Sequence, residues 1–138
     1  MICTFFGHRD APNSLTESIK KAVIQLIENG IKDFYVGNNG RFDFMVQDIL
    51  ANLIKNNGDI NVRIVLSYID EKAISGHQEL TIFPEELESV PKKFAISKRN
   101  EYLIKKSAIV LCYVENSFSN SHKWVEKARK KGLKIMNL

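Results

Sequence analysis

A cluster of glycines and polar residues lies between a short apolar run and an amphipathic pattern in the first third of the chain. The cluster comprises Gly37, Asn38, Asn39, Gly40, Arg41 and Asp43. Such a junction predicts a strand that runs into a helix, whose first amides lack intrahelical acceptors and suit phosphate or carboxylate oxygens. An ordinary turn explains the same residues if the glycines supply backbone freedom and Asn39 or Asp43 caps the helix.

Two further polar clusters follow apolar runs elsewhere in the chain. The first follows residues 2–6 and consists of Gly7, His8 and Arg9. The second follows residues 108–114 and includes Ser119, Asn120 and Ser121. Arginine binds phosphate through paired hydrogen bonds, while asparagine and serine side chains could bind a sugar or a base. Both clusters are therefore candidate ligand-binding residues, although His8 also fits a simple turn.

Arg99 lies within a helical stripe that is otherwise apolar. Ile96 and Leu103 share that face, and arginine rarely joins a buried stripe without a partner. Arg99 and its neighbour Asn100 are therefore candidate ligand-binding residues. Two structural explanations stay open: Arg99 lies at the edge of the stripe with its head group in water, or it pairs with a buried carboxylate such as Asp43.

Motifs for the common catalytic chemistries are absent from the sequence. The histidines, His8, His77 and His122, have no metal-ligand spacing. There is no Gly-x-x-x-x-Gly-Lys-Ser/Thr phosphate loop, no Gly-x-Ser-x-Gly elbow and no glycine-rich dinucleotide fingerprint. We therefore expect no metal and no cofactor. Asp43 and Glu115 are the carboxylates that could assist catalysis or bind a ribose, and helix capping explains Asp43 equally well.

The elements that must position these residues form an α/β pattern. Alternating strands and helices predict a single α/β domain over residues 1–138, a three-layer sandwich around a central, mostly parallel five-stranded sheet. Residues 68–93 break the rhythm and form an irregular insertion, either a lid or a loop packed on the body. In an open parallel sheet, ligands lie outside the carboxyl ends of the strands, where all three clusters belong.

Composition and charge narrow the class of protein. Cys3 and Cys112 lie in apolar runs, which favours buried thiols over a disulfide. No leader and no apolar stretch of about 18 residues is present, so we expect a cytoplasmic protein without membrane contact. The net charge of +4 conceals a basic half, because residues 92–138 hold 12 Lys and Arg against 3 Asp and Glu. These cations lack interleaved aromatics, so we expect a solvated face and do not expect nucleic acid as a partner.

The sequence resembles the small bacterial single-domain proteins of the SLOG superfamily in three segments. They are residues 7–9, residues 37–43, and residues 82–91 leading into Arg99-Asn100. That superfamily includes the Lonely Guy phosphoribohydrolases, which activate cytokinins. The resemblance implies a Rossmann-like fold and a pocket for a nucleotide or nucleotide-derived ligand at the strand ends. It also implies that a homodimer can form, since the related enzymes often pair through helices.

One departure from the enzymes of that superfamily separates the functional hypotheses. They carry Pro-Gly-Gly-x-Gly-Thr-x-x-Glu after the fourth strand, where this chain has residues 116–122 without glycine or glutamate. The first hypothesis is therefore a nucleotide-binding sensor, sponge or regulator. The second is an N-glycosidic hydrolase that acts on a nucleoside monophosphate, and the third is a nucleic-acid-binding protein that uses the basic half.

Overall fold

Short apolar runs form the strands of a parallel sheet. In the computed structural model, which describes residues 1–69 and 76–138, the strands are β1 (Ile2–Gly7), β2 (Asp33–Val36), β3 (Asn61–Val65), β4 (Thr81–Ile82), β5 (Ile109–Tyr113) and β6 (Lys134–Asn137). Their order across the sheet is β4-β3-β2-β1-β5-β6, and every neighbouring pair is parallel.

Among the described residues, four α-helices cover the two faces of this sheet. They are α1 (Thr16–Glu28), α2 (Arg41–Ile54), α3 (Ala95–Lys106) and α4 (Asn120–Lys130). Because side chains alternate across a strand, Phe5 packs in the core beneath α1 and α2, whereas Phe6 stacks on Trp124 of α4 with ring centroids 6.5 Å apart. The three-layer α/β sandwich expected from the sequence is confirmed.

The expected number of strands was wrong, because the described residues contain six strands and not five. The additional strand, β4, lies in the segment interpreted as an irregular insertion and pairs with β3 through Ile64↔Thr81 and Val65↔Ile82. The N–H of Leu66 also donates to the carbonyl oxygen of Ile82 at 2.9 Å. Two residues are too few to show a period of two in the sequence, so the strand left no readable pattern.

Around this strand, the described residues form three single turns. Three-residue 3₁₀ turns span Gln78–Leu80, Glu85–Leu87 and Lys92–Phe94, and Leu87 is buried against the body. Residues 70–75, which belong to the same predicted insertion, lie outside the described residues. Over the described ranges, no helix is both long and apolar enough to cross a membrane.

The strand order sets the place of a ligand. From β1 the chain proceeds outward through β2 to β4, and then crosses to the other side of β1 to form β5 and β6. The direction of winding therefore changes between β1 and β5. In open parallel sheets this change leaves a crevice at the carboxyl ends of the two strands.

Candidate functional site

A cleft of about 420 Å³ opens at the carboxyl edge of the sheet and is lined by the end of β1 and the start of α4. The turn between β2 and α2 and the first half of α3 complete its walls. The predicted residues that line it are Gly7, Arg9, Gly37, Asn39, Asp43, Arg99, Asn100, Ser119, Asn120 and Ser121. The fold thus brings residues from all three polar clusters together with the arginine of α3.

Arg99 is the buried centre of this arrangement, with 2% of its surface exposed. Its Nη1 donates to Asn38 Oδ1 at 3.0 Å and to the carbonyl oxygen of Val65 at 3.1 Å. Its Nη2 donates to Asn39 Oδ1 at 2.7 Å, and its Nε donates to Asn100 Oδ1 at 2.9 Å. These bonds use four of the five guanidinium N–H groups. Arg99 therefore fastens the β2–α2 turn to α3 and supplies positive charge beneath the cleft.

Asp43 lies in the first turn of α2 and faces the same cleft. Its Oδ2 accepts a hydrogen bond from the backbone N–H of Asn39 at 2.9 Å, so it binds the turn that precedes the helix. Burial raises the pKa of Asp43 to about 6, against the opposing effects of Arg99, the Asn39 amide and Arg9. A carboxyl group that titrates near 6 can exchange a proton close to neutral pH, and its ionised form can accept a hydrogen bond from a ribose hydroxyl.

The same carboxylate partly offsets the charge of Arg99. Burial lowers the pKa of Arg99, while attraction to Asp43 raises it and Arg9 lowers it further. Of the explanations left open by the sequence, the one in which Arg99 lies at the edge of its stripe does not hold, because the side chain is buried. The structure instead places the guanidinium close to the buried carboxylate of Asp43.

Gly7 and Gly37 have no side chain, and buried side chains of other residues occupy the space beside them. A Cβ atom at Gly7 would lie 2.2 Å from Cγ of Phe42. A Cβ atom at Gly37 would lie 2.8 Å from Cζ of Arg99 and 2.9 Å from Oδ2 of Asp43. The missing side chain at Gly37 therefore lets the guanidinium and the carboxylate approach the same point of the turn.

The amino end of α4 lies against the cleft. Ser119 is its cap, because Oγ accepts a hydrogen bond from the N–H of His122 at 3.2 Å while donating to the carbonyl oxygen of Asn116 at 2.7 Å. Ser121 Oγ donates to the carbonyl oxygen of Gly7 at 2.8 Å, which ties α4 to β1. Both hydroxyls thus position the helix. The amino end of α4 also carries the positive end of the helix dipole.

Two candidates, His8 and Glu115, contact each other beside the cleft without lining it. His8 Nε2 accepts a hydrogen bond from the backbone N–H of Glu115 at 2.8 Å, which joins the loops after β1 and β5. The side chain of Glu115 is exposed, and its hydrogen bond with Tyr113 raises the pKa of that phenol. Glu115 is therefore directed at Tyr113 and not into the cleft.

The other predicted residues outside the cleft lining are Asn38, Gly40 and Arg41. Asn38 is buried as a partner of Arg99, and Gly40 immediately precedes α2. Arg41 is exposed, and its Nη2 donates to Asn13 Oδ1. Arg9 and Arg41, which the sequence presents as equivalent candidates, thus lie in different environments.

Several lining residues were not among the candidates. They are Phe5, Phe6, Ile96, Ser97, Leu103, Lys123 and Trp124. Ile96 and Leu103 share the α3 face of Arg99, so helical spacing alone could have identified them. Lys123 follows the Ser119 cap by one helical turn, so its spacing from the cap could have identified it as a residue of the cleft. In the part of the chain that the structure describes, no three histidine, cysteine, aspartate or glutamate side chains are grouped to hold a metal ion.

Comparison with solved structures gives a match over nearly the whole fold. The X-ray structure of DNA processing protein A (DprA) from Streptococcus pneumoniae aligns with a TM-score of 0.73 and 20% sequence identity. This chain has a fold similar to that of DprA. The alignment covers 98% of this chain and 49% of the DprA chain, so this chain spans about half the length of that protein. Neither a family model nor a curated protein matches the sequence.

The similarity to DprA supports the Rossmann-like fold implied by the SLOG resemblance, and it corrects one expectation. The basic half without interleaved aromatics led us not to expect nucleic acid as a partner. The matched structure is that of a DNA processing protein, which argues against that expectation. The expectation was wrong because it considered only cations and aromatics that are adjacent in sequence, whereas the fold places Tyr102 of α3 beside Lys127 and Lys130 of α4.

Proposed function

We propose that the cleft binds a nucleotide, with the phosphate near Arg9, Lys123 and the amino end of α4. The observation that supports this proposal is the convergence of these positive groups on one 420 Å³ cleft at the change in strand winding. Asp43 is the carboxylate available to a ribose hydroxyl. Membership of the SLOG superfamily, which rests on the sequence resemblance, is part of the same proposal.

Different residues have different roles in this proposal. Arg99 keeps the β2–α2 turn in place and contributes charge, since most of its donors are already bonded. Arg9 is exposed at the rim, and Lys123 is exposed one turn into α4, so both are free to follow a phosphate group. The planar guanidinium of Arg9 can bind two phosphate oxygens at once, and the ammonium of Lys123 adds a point charge.

A comparison of two arginine variants tests the proposal. We expect AMP, ADP or a cyclic dinucleotide to raise the melting temperature of the unmodified protein, because a ligand that binds only the native state stabilises it. Arg9→Ala should abolish this shift or weaken binding at least tenfold by calorimetry. Arg41→Ala is the matched control, since Arg41 is also exposed but lies outside the cleft lining. Equal binding by both variants would contradict the proposal.

A second candidate function is binding of single-stranded nucleic acid, with one of its nucleotides in the cleft. The similarity to a DNA processing protein favours it. Two exposed rings near the cleft also favour it: Phe118 is 97% exposed just before the Ser119 cap, and Phe94 is 50% exposed just before α3. Rings of this kind can stack on bases without sequence preference.

The two candidates differ in how affinity depends on ligand length. Fluorescence anisotropy with a mononucleotide, a dinucleotide and a 12-mer of single-stranded DNA separates them. If the ligand is a free nucleotide, the mononucleotide should compete with the 12-mer at similar concentrations. If the ligand is a single strand of nucleic acid, affinity should rise at least tenfold with the length of the strand and fall steeply with salt concentration.

A further inference from the structure

A second groove, of about 520 Å³, lies between α3 and α4 on the outer side of the molecule. Five lysines line it together with two glutamates and two aromatic rings: Lys98, Lys105, Lys127, Lys130, Lys131, Glu86, Glu101, Tyr102 and Trp124. Lys98 is paired with Glu101 at 3.3 Å, and Lys105 is paired with Glu86 at 3.2 Å. The three lysines at the end of α4 form no ion pair among the described residues, so their charge is available to a partner.

Trp124 connects this groove to the cleft, because its side chain lines both. Lys127 lies over the indole ring at 4.4 Å from its centre, and Lys123 lies at 6.0 Å. Positions 123, 127, 130 and 131 follow the spacing of one helical face. A row of positive charges about 12 Å long therefore runs along α4, from the cleft to the far end of the groove.

The positive charge is concentrated on this side of the sheet. Helices α3 and α4 carry eight basic residues: Lys98, Arg99, Lys105, Lys106, Lys123, Lys127, Arg129 and Lys130. They carry two acidic residues, Glu101 and Glu126. Helices α1 and α2, on the opposite face, carry Lys20, Lys21 and Arg41 with Glu17, Glu28, Asp43 and Asp48. Apart from the buried Arg99, the basic residues of α3 and α4 are exposed on this side of the molecule.

We infer that a single strand of nucleic acid with one nucleotide in the cleft continues along α4, with its next phosphates over Lys127, Lys130 and Lys131. This inference rests on the second candidate function. A strand fits the surface because its phosphates repeat along a flexible chain, and Lys127, Lys130 and Lys131 lie within about one helical turn of one another on the same face. The cleft and the groove are neighbours along α4, since Trp124 lines both of them.

A triple variant tests this path while leaving the cleft intact. Lys127→Ala/Lys130→Ala/Lys131→Ala removes three exposed charges that do not line the cleft. We expect at least a tenfold loss of affinity for a 12-mer of single-stranded DNA. The slope of log affinity against log salt should fall by about 2, because each lost phosphate contact contributes about 0.7. Mononucleotide affinity should stay within about twofold of the unmodified protein.

The control is Lys20→Ala/Lys21→Ala/Lys55→Ala, which removes the same charge from exposed positions on α1 and just after α2. Similar 12-mer affinity in the two triple variants would overturn the inference. So would equally tight binding of a polyglutamate of matched charge, which would indicate an acidic protein as the partner. If the unmodified protein binds the mononucleotide and the 12-mer equally well, the path along α4 is refuted while the nucleotide site stands. Absence of mononucleotide binding would instead refute the cleft function.

Discussion

Replacing Asp43 with asparagine is expected to stabilise the protein at neutral pH and to remove part of its pH dependence. The pKa of Asp43 is raised from 3.8 to about 6, chiefly by burial. Below pH 4 the carboxyl group is protonated in both the folded and the unfolded chain. Between pH 4 and pH 6 the unfolded chain ionises while the folded protein keeps its proton, so the free energy of unfolding falls as pH rises.

The size of this effect follows from the shift. One pKa unit corresponds to about 1.4 kcal/mol, so the ionised carboxylate lowers the free energy of unfolding by about 3 kcal/mol above pH 7. Asparagine has nearly the same shape and does not titrate, and its Oδ1 can still accept the hydrogen bond from the Asn39 amide. The difference in stability between Asp43→Asn and the unmodified protein should therefore grow by about 3 kcal/mol from pH 4 to pH 8.

Urea denaturation at several pH values measures this change, with fluorescence of the single tryptophan, Trp124, as the signal. Trp124 is 7% exposed in the folded protein, so its emission should shift on unfolding. Asp10→Asn is the control, because it removes an exposed carboxylate from a neighbouring loop. A stability difference for Asp43→Asn that stays constant within about 0.5 kcal/mol from pH 4 to pH 8 would show that burial does not control this carboxyl group.

Three other substitutions test the site. Gly37→Ala should destabilise the protein by about 1–3 kcal/mol in urea, because the added methyl overlaps the guanidinium of Arg99; unchanged stability would contradict this packing. Arg99→Lys should lower the free energy of unfolding by about 3 kcal/mol in the same assay, because one ammonium group cannot replace a guanidinium that is bonded to four acceptors. A loss below about 1 kcal/mol would refute the structural role of Arg99. Phe118→Ser should leave stability within about 0.5 kcal/mol while weakening binding of the 12-mer severalfold; equal affinity would exclude stacking on this ring.

The order of elements could be predicted from the sequence because each long element has a clear period. The apolar run that ends at Gly7 indicated a strand, and the stripe that contains Arg99 indicated a helix. Since parallel strands end at one edge, chain order also placed the three polar clusters together before any contact was known. The cleft lining combines residues from all three clusters with Arg99.

The partners of individual side chains could not be predicted in the same way. Arg9 and Arg41 look alike in sequence, yet Arg9 lines the cleft while the guanidinium of Arg41 binds Asn13. Ser119 and Ser121 looked like ligand-binding hydroxyls, and both form hydrogen bonds to backbone carbonyl oxygens. Such choices depend on distances of a few ångströms between residues far apart in the chain, and local patterns carry no information about them.

The four hydrogen bonds of Arg99 determine which parts of the site can change during evolution. They join the turn at residues 38–39, the end of β3 and the first half of α3, so any replacement of Arg99 must be compensated in three separate segments. Arg9, Phe118 and Lys123 lie at the rim and are exposed, so substitutions there leave the scaffold intact. In related sequences we therefore expect positions 9, 118 and 123 to vary more than position 99.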